Sequence, residues 1–101
     1  MRKEAVILIA DSDESFAQAL AGAFQSRGAT VNSVHSFRKA QQQIESGTFD
    51  MVICASRLEN DTDGMAILAA VRAQSPSVPV ILTSEVADIN ACKEALKLGA
   101  Y

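Results

Sequence analysis

The sequence predicts one α/β domain with a doubly wound parallel sheet, in the element order βαβαβαβα. Short runs of consecutive apolar residues alternate with stretches in which apolar residues recur at helical spacing. The chain has 101 residues, which is enough for one hydrophobic core and too few for two. With 49% hydrophobic and 21% charged residues it has the balance of a folded globular domain. We therefore expect a single domain over residues 1–101.

The first βα unit opens with the run 5–10, AVILIA, which is apolar at every position. A strand covered on both faces, as in a parallel sheet, has this pattern. Asp13 or Ser12 is the predicted N-cap of the helix that follows, and Gly28 is its predicted end. Residues at helical spacing mark the predicted buried face of this helix: Phe16, Leu20 and Phe24.

The second and third units repeat the pattern. A strand is predicted over 30–34, and Ser36 can cap a helix that ends at Gly47. The third strand is predicted over 51–54, and a polar, acidic loop over 55–63 follows it. Gly64 precedes a predicted third helix, whose inward residues are Met65, Leu68 and Val71.

The fourth unit is a strand over 78–82, entered through Pro79, and a helix from about Asp88 that ends at Gly99. Connection rules make the crossovers right-handed and the sheet parallel. Because the chain stops at Tyr101, the last strand would be an exposed edge. We therefore expect a further strand and helix to be missing at the C-terminus.

Composition excludes several function classes. A net charge of −3 and a pI near 5.0 give no positive field for nucleic acid, so we expect no direct nucleic-acid binding by this segment. The run 5–10 is too short to cross a membrane. Cys54 and Cys92 have no partner at metal-ligand spacing, so they are predicted to be reduced core thiols of a cytoplasmic protein.

Candidate site residues follow the strands, because open α/β sheets bind ligands beyond the carboxyl ends of their strands. They are Asp11, Ser12 and Asp13 after the first strand, Ala55 and Ser56 after the third, and Thr83 and Ser84 after the fourth. The first junction reads ADSDES and lacks the glycines of a dinucleotide-binding loop.

Five segments in this order resemble the receiver domain of bacterial two-component response regulators: ILIADSDE, FDMVICAS, DTDG, VPVILTS and CKEALKLGAY. The resemblance covers the whole chain. It implies the flavodoxin-like receiver fold, with four βα units present of the usual five, and a role in phosphorelay signalling. It also implies an acidic magnesium pocket, a phosphoacceptor aspartate after the third strand, and a switch hydroxyl at Ser84.

The sequence departs from the family at the positions that carry its chemistry. The phosphoacceptor position falls on Ala55, or on Ser56 because the loop to Gly64 is one residue longer than usual. Asp11 matches the first acid of the pocket, but Ser12 replaces the second, so two of three acidic positions are lost. Asp13 is expected to cap the helix and point elsewhere. We therefore expect no cofactor, no metal and no tight magnesium binding.

The leading hypothesis is a degenerate pseudo-receiver, not an enzyme, that signals through a protein partner or through itself as a homodimer. The family resemblance points to 88–98 as part of the contact face. One alternative is a receiver that accepts a phosphoryl group at Ser56, Asp61 or Asp63. Another is a small-metabolite pocket in the same crevice. The family's lysine would fall beyond Tyr101.

Two remaining features are given simpler interpretations. His35, the only histidine, follows the second strand and is predicted to be a solvated turn residue. Glu59, Asp61 and Asp63 do not follow the pattern of a calcium loop and are predicted to form a solvated acidic loop.

Overall fold

The computed structural model describes residues 5–60 and 63–83, and its four strands and three helices alternate along the chain. The elements are β1 (Val6–Ala10), α1 (Glu14–Gln25), β2 (Thr30–Val34), α2 (Phe37–Ser46), β3 (Met51–Ala55), α3 (Asp63–Gln74) and β4 (Val80–Thr83). All described strand pairs are parallel, which confirms the predicted fold class. The predicted fourth helix from Asp88, including Cys92, lies outside the described residues.

The sheet order is β2-β1-β3-β4. The chain leaves β1 toward β2 on one side and then returns to place β3 on the other side. The order of strands therefore reverses between β1 and β3, which is where such sheets form a crevice. Ala10 and Cys54 are register partners across this pair, so the residues that follow them lie next to each other.

The two faces of the sheet are covered by different helices. On one face, Leu8 and Ala10 belong to a core shared with α2 and α3. On the other face, Ile7 and Ile9 pack with α1. Consecutive strand residues point to opposite faces, so an unbroken apolar run is needed to fill both cores.

Helix α1 lies against the sheet through small residues, and the predicted face of Phe16, Leu20 and Phe24 is only partly confirmed, because Leu20 and Phe24 pack against the core whereas Phe16 does not. Ala17 and Ala21 are the buried residues, whereas Leu20 and Phe24 are only half-buried. Phe16 is 44% exposed. An alanine stripe lets the helix approach the strands closely, and the larger side chains then fall on the flank.

Two predicted helix starts are confirmed by their caps. Asp13 is the N-cap of α1, and its Oδ1 accepts a hydrogen bond from the Phe16 N–H at 3.0 Å. Ser36 is the N-cap of α2, and its Oγ accepts one from the Lys39 N–H at 3.3 Å. Each cap satisfies an amide that has no partner within the helix.

Helix α3 begins earlier than predicted. It starts at Asp63 and includes Gly64, whereas the sequence pattern predicts a helix that begins only after this glycine. The buried residues include Ile67, Leu68 and Val71, whereas Met65 is only half-buried. The predicted inward positions Leu68 and Val71 are therefore confirmed, and Ile67 is buried beside them.

Strand β4 begins at Val80, two residues later than predicted. The Val78 N–H donates to the Ser75 carbonyl at 3.1 Å, so Val78 belongs to the turn. The Arg72 guanidinium stabilises this turn by donating to the Ser75 carbonyl at 3.4 Å, to the Pro76 carbonyl at 2.6 Å and to the Val78 carbonyl. Local hydrogen bonds of the α3–β4 turn thus override the strand preference of Val78.

Candidate functional site

The β1–α1 junction forms one wall of the crevice. The Asp11 N–H donates to the Val34 carbonyl at 3.0 Å, which continues the pairing of β1 with β2. The Asp11 Oδ1 accepts a hydrogen bond from the Asp13 N–H at 2.9 Å. Asp11 is half-buried, while Ser12 and Asp13 are exposed. Asp11 is therefore the acid closest to the crevice at this junction, because the Asp13 carboxylate is directed to α1.

The end of β3 forms the opposite wall. Ala55, the last residue of this strand, is paired in register with Thr83 of β4. The Ser56 N–H donates to the Thr83 carbonyl at 2.8 Å, so Ser56 continues the strand pairing. The structure therefore brings together Ala55, Ser56 and Thr83, as the sequence predicts, while Ser84 lies outside the described residues.

Cys54 lies beneath this crevice and is completely buried as a free thiol. Burial raises the pKa of this thiol to about 12, and the negative charges of Asp11 and Asp63 contribute to the rise. The prediction of a reduced core thiol is confirmed for Cys54, which is free and buried.

Gly64 allows the start of α3 to touch the end of β3. Its N–H donates to the Ser56 carbonyl at 2.9 Å. A Cβ on Gly64 would lie 2.6 Å from the Ser56 Cα and 2.9 Å from the Ala55 carbonyl oxygen. Only glycine fits at this contact, so the Asp-Gly pair at 63–64 has a packing requirement that spacing alone does not reveal.

Asp63 is not part of a solvated loop, and the prediction for this residue was wrong. It is only 5% exposed, and its Oδ2 accepts hydrogen bonds from the Glu59 N–H at 2.5 Å and the Asn60 N–H at 2.6 Å. Desolvation by burial acts to raise the pKa of this carboxyl, but the backbone donors from Asn60 and Glu59 outweigh it and the pKa is lowered. Asp63 is therefore an ionised brace of the β3–α3 loop.

Two further side chains join neighbouring loops. The Glu59 Oε1 accepts a hydrogen bond from the Phe37 N–H at 3.0 Å, which links the β3–α3 loop to the first turn of α2. The His35 Nδ1 lies 2.9 Å from the Asp11 carbonyl oxygen, which links the β2–α2 loop to the β1–α1 junction. His35 is half-buried, so this loop residue is less solvated than predicted.

Within 5–60 and 63–83, no three His, Cys, Asp or Glu side chains come together as a metal-ligand group. A recess of about 10 Å³, with room for a single water molecule, lies away from the crevice. Its lining includes Ile44, Phe49 and Val78. No helix in the described parts of the chain has the length and apolar character needed to span a bilayer.

The fold and the site define a class of protein: a doubly wound α/β domain whose crevice lies between β1 and β3 and is bordered by carboxylates. Residues 7–101 match the model of the response regulator receiver domain. The chain therefore belongs to the response regulator receiver domain family.

Curated relatives agree with this assignment. The chain is 33% identical over 94 residues to the transcriptional regulatory protein ZraR of Escherichia coli K12, an alignment that covers 93% of this chain and 21% of ZraR. It is 34% identical over 76 residues to the transcriptional regulatory protein BasR of the same organism, which covers 75% of this chain and 34% of BasR. The chain thus spans about a fifth of the length of ZraR.

Solved structures share the fold. A response regulator from Burkholderia pseudomallei with a phosphorylated aspartic acid, calcium ion and citrate superposes with a TM-score of 0.87 and 25% identity, covering 96% of this chain and 56% of that one. A signal receiver domain of an HD domain-containing protein from Pseudomonas fluorescens Pf-5 has a TM-score of 0.87 and 29% identity, covering 98% and 79%.

Proposed function

We propose that this chain is a degenerate receiver, a signalling module that does not take a phosphoryl group at the end of β3. It acts in two-component signalling through contact with a protein partner or with a second copy, not as an enzyme, and in the cytoplasm. Family membership supports the signalling role, because receivers work through protein contacts. The proposal of phosphorylation-independent action rests on the residues of the crevice.

The observation that carries the proposal is the alanine at the end of β3. The Burkholderia pseudomallei response regulator holds its phosphoryl group on an aspartic acid. At the position that the family motif gives to the phosphoacceptor, this chain has Ala55, the last residue of the strand and the register partner of Thr83. A methyl group has no lone pair to attack phosphorus, so the nucleophile that phosphoryl transfer needs is missing there.

The remaining residues do not fit a magnesium ion. Mg²⁺ takes near-octahedral oxygen coordination, with one or two carboxylates from the protein. Asp11 retains one carboxylate, but Ser12 is an exposed hydroxyl, and the carboxylates of Asp13 and Asp63 accept hydrogen bonds from backbone amides. The Asp11 carboxylate also accepts a backbone hydrogen bond, from the Asp13 N–H, but only through its Oδ1.

The alternative acceptors have less support. The Asp63 carboxylate is buried and accepts two short hydrogen bonds, so it is a poor nucleophile in this conformation. Ser56 is half-buried, and no described histidine or carboxylate donates to or accepts from its hydroxyl at hydrogen-bond distance. Asp61 lies outside the described residues. A small-metabolite site in the crevice has no observation in its favour.

The test is intact-mass measurement after incubation with acetyl phosphate and magnesium. We expect the mass of the chain to stay unchanged. A gain of about 80 Da, one phosphoryl group, would contradict the proposal. Peptide mapping of such a product would then separate Ser56 from Asp61 and Asp63.

The Ser12→Asp/Ala55→Asp variant is the matched control, because it restores the two missing acids on an unchanged fold. We expect this variant to gain the phosphoryl mass under the same conditions. We also expect millimolar magnesium to raise its melting temperature, because the ion relieves repulsion between carboxylates, and to leave the parent chain's melting temperature unchanged. Magnesium stabilisation of the parent chain by several degrees would show that the pocket still binds the ion.

A further inference from the structure

The outer edge of β2 carries backbone groups that no described strand uses. Strand β2 is at the end of the sheet order. The Thr30 N–H donates to the Ala5 carbonyl at 2.8 Å, and the Val34 carbonyl accepts from the Asp11 N–H at 3.0 Å, so both residues face β1. Because alternate residues of a strand point their backbone groups in opposite directions, Val31 and Ser33 direct theirs away from the sheet.

Neither helix layer covers this edge. Ser33 lies on the same face of β2 as Val31, which packs in the core under α1, while Asn32 lies on the opposite face with Val34. Ser33 and Asn32 are both exposed. The edge is therefore accessible from both faces of the sheet, as pairing with another strand requires.

The edge also lacks the features that keep exposed strands apart. Proteins protect such edges with lysine, proline, bulges or inward-pointing charges. The sequence of β2 is TVNSV, which has no charge and no proline, and its register with β1 runs without a bulge from Thr30 to Val34. Nothing in the strand itself opposes pairing.

We propose that β2 pairs antiparallel with β2 of a second copy of this chain, around a twofold axis at Asn32. In this register Val31 faces Ser33 of the second copy and Ser33 faces its Val31, so the two outward residues of each strand exchange hydrogen bonds. Asn32 meets its own symmetry mate, and Thr30 meets Val34. Every pair is uncharged, and the strand is complementary to itself, as a twofold interface demands.

A second copy fits this edge better than a charged partner peptide, because all five side chains of β2 are neutral. The two sheets would join into one continuous sheet. This inference deepens the proposed function by naming a surface and a partner for self-association, but it does not depend on the chemistry of Ala55.

The test introduces opposite charges at Asn32 in two separate variants. The side chain of Asn32 is exposed, and its substitution leaves the backbone pairing with β1 intact. We expect light scattering to give the parent chain about twice its 10.7 kDa mass at high concentration. We expect Asn32→Lys and Asn32→Asp to be monomeric when measured singly, because each places like charges directly opposite one another. Mixed in equal amounts, the two variants should regain the dimer mass.

Ser33→Pro tests the backbone contacts separately. Its N–H points away from β1, so proline removes an intermolecular donor while keeping the sheet. We expect this variant to be monomeric with a melting temperature near that of the parent, whereas Ser33→Thr, which keeps the N–H, should remain dimeric.

Several outcomes would overturn the inference: a monomeric parent chain, a lysine variant that still dimerises, or a lysine and aspartate mixture that stays monomeric. If Ser33→Pro fails to fold, the two Asn32 variants still decide. Acetyl phosphate is absent from these measurements, so their failure would leave the result of the phosphorylation assay unaffected.

Discussion

The β1–α1 and β3–α3 junctions border the same crevice, yet they hold their carboxylates in different environments. In the β1–α1 junction the chain passes from strand to helix in three residues, Asp11 is half-buried and Asp13 caps the helix from an exposed position. In the β3–α3 junction the chain takes seven residues, and Asp63 is buried beneath its own loop. The first junction follows its strand with Asp11, whereas the strand before the second junction ends in Ala55.

The difference shows that the shape of the β3–α3 junction does not depend on the side chain at the end of β3. At the β3–α3 junction, Gly64 contacts the backbone of Ser56, and Asp63 holds the loop by accepting from Glu59 and Asn60. None of these contacts involves the side chain of Ala55. The loop can therefore retain its conformation whether the strand ends in an aspartate or in an alanine.

The largest effect is expected for Gly64→Ala. The added Cβ would lie 2.6 Å from the Ser56 Cα, and backbone atoms cannot move aside as a flexible side chain can. We expect the free energy of unfolding to fall by about 3 kcal/mol. Gly22→Ala in α1 is the matched control, because nothing lies within 4 Å of its added Cβ. That variant should gain about 0.5 to 1 kcal/mol, and urea unfolding measures both.

The next effect is expected for Asp63→Asn. The amide oxygen of asparagine can accept the same two backbone hydrogen bonds, but it carries no negative charge. We therefore expect the free energy of unfolding to fall by about 2 kcal/mol at neutral pH. The pKa of Asp63 is lowered on folding, so its contribution is complete above its ordinary value of 3.8 and is lost as the pH falls through the folded-state pKa.

The difference between the parent chain and Asp63→Asn should therefore shrink in acid. Urea unfolding at about pH 7 and at about pH 3 measures it. An equal difference at both pH values would show that the charge of Asp63 does not stabilise the β3–α3 loop.

A smaller effect is expected at the β1–α1 junction. Asp13→Ala removes the acceptor of the Phe16 N–H, and we expect a loss of about 1 kcal/mol. Ser12→Ala, at the exposed neighbouring position, should change the unfolding free energy by less than about 0.5 kcal/mol. If the two variants lost the same stability, Asp13 would not act as the cap and the contrast between the junctions would weaken.

Local signals in the sequence were enough to predict much of this structure. The unbroken apolar run at 5–10 predicted a strand buried on both faces, and Ile7 and Leu8 indeed fill opposite cores. Asp13 and Ser36 were identified as caps because capping depends on neighbours within four residues. Asp11 and Ala55 were predicted to share one crevice because the carboxyl ends of parallel strands share an edge.

The errors arose where the packing of the folded chain decided the outcome. The spacing of Phe16, Leu20 and Phe24 is helical, but it does not reveal that Ala17 and Ala21 lie closest to the sheet. Likewise, residue type alone predicts that an acidic loop is solvated. It does not reveal that the Asp63 carboxylate accepts hydrogen bonds from amides that only the folded loop presents.

By itself, the sequence determined the alternation of strands and helices, the two caps and the absence of a carboxylate at the end of β3, because each depends on residue type or on near neighbours. The tertiary structure alone decided that Asp63 is a buried brace, that Gly64 must be glycine and that β2 has an accessible edge. These three features depend on how the β3–α3 loop folds onto the end of β3 and on where the strands lie in the sheet, and residue type and spacing do not encode such contacts.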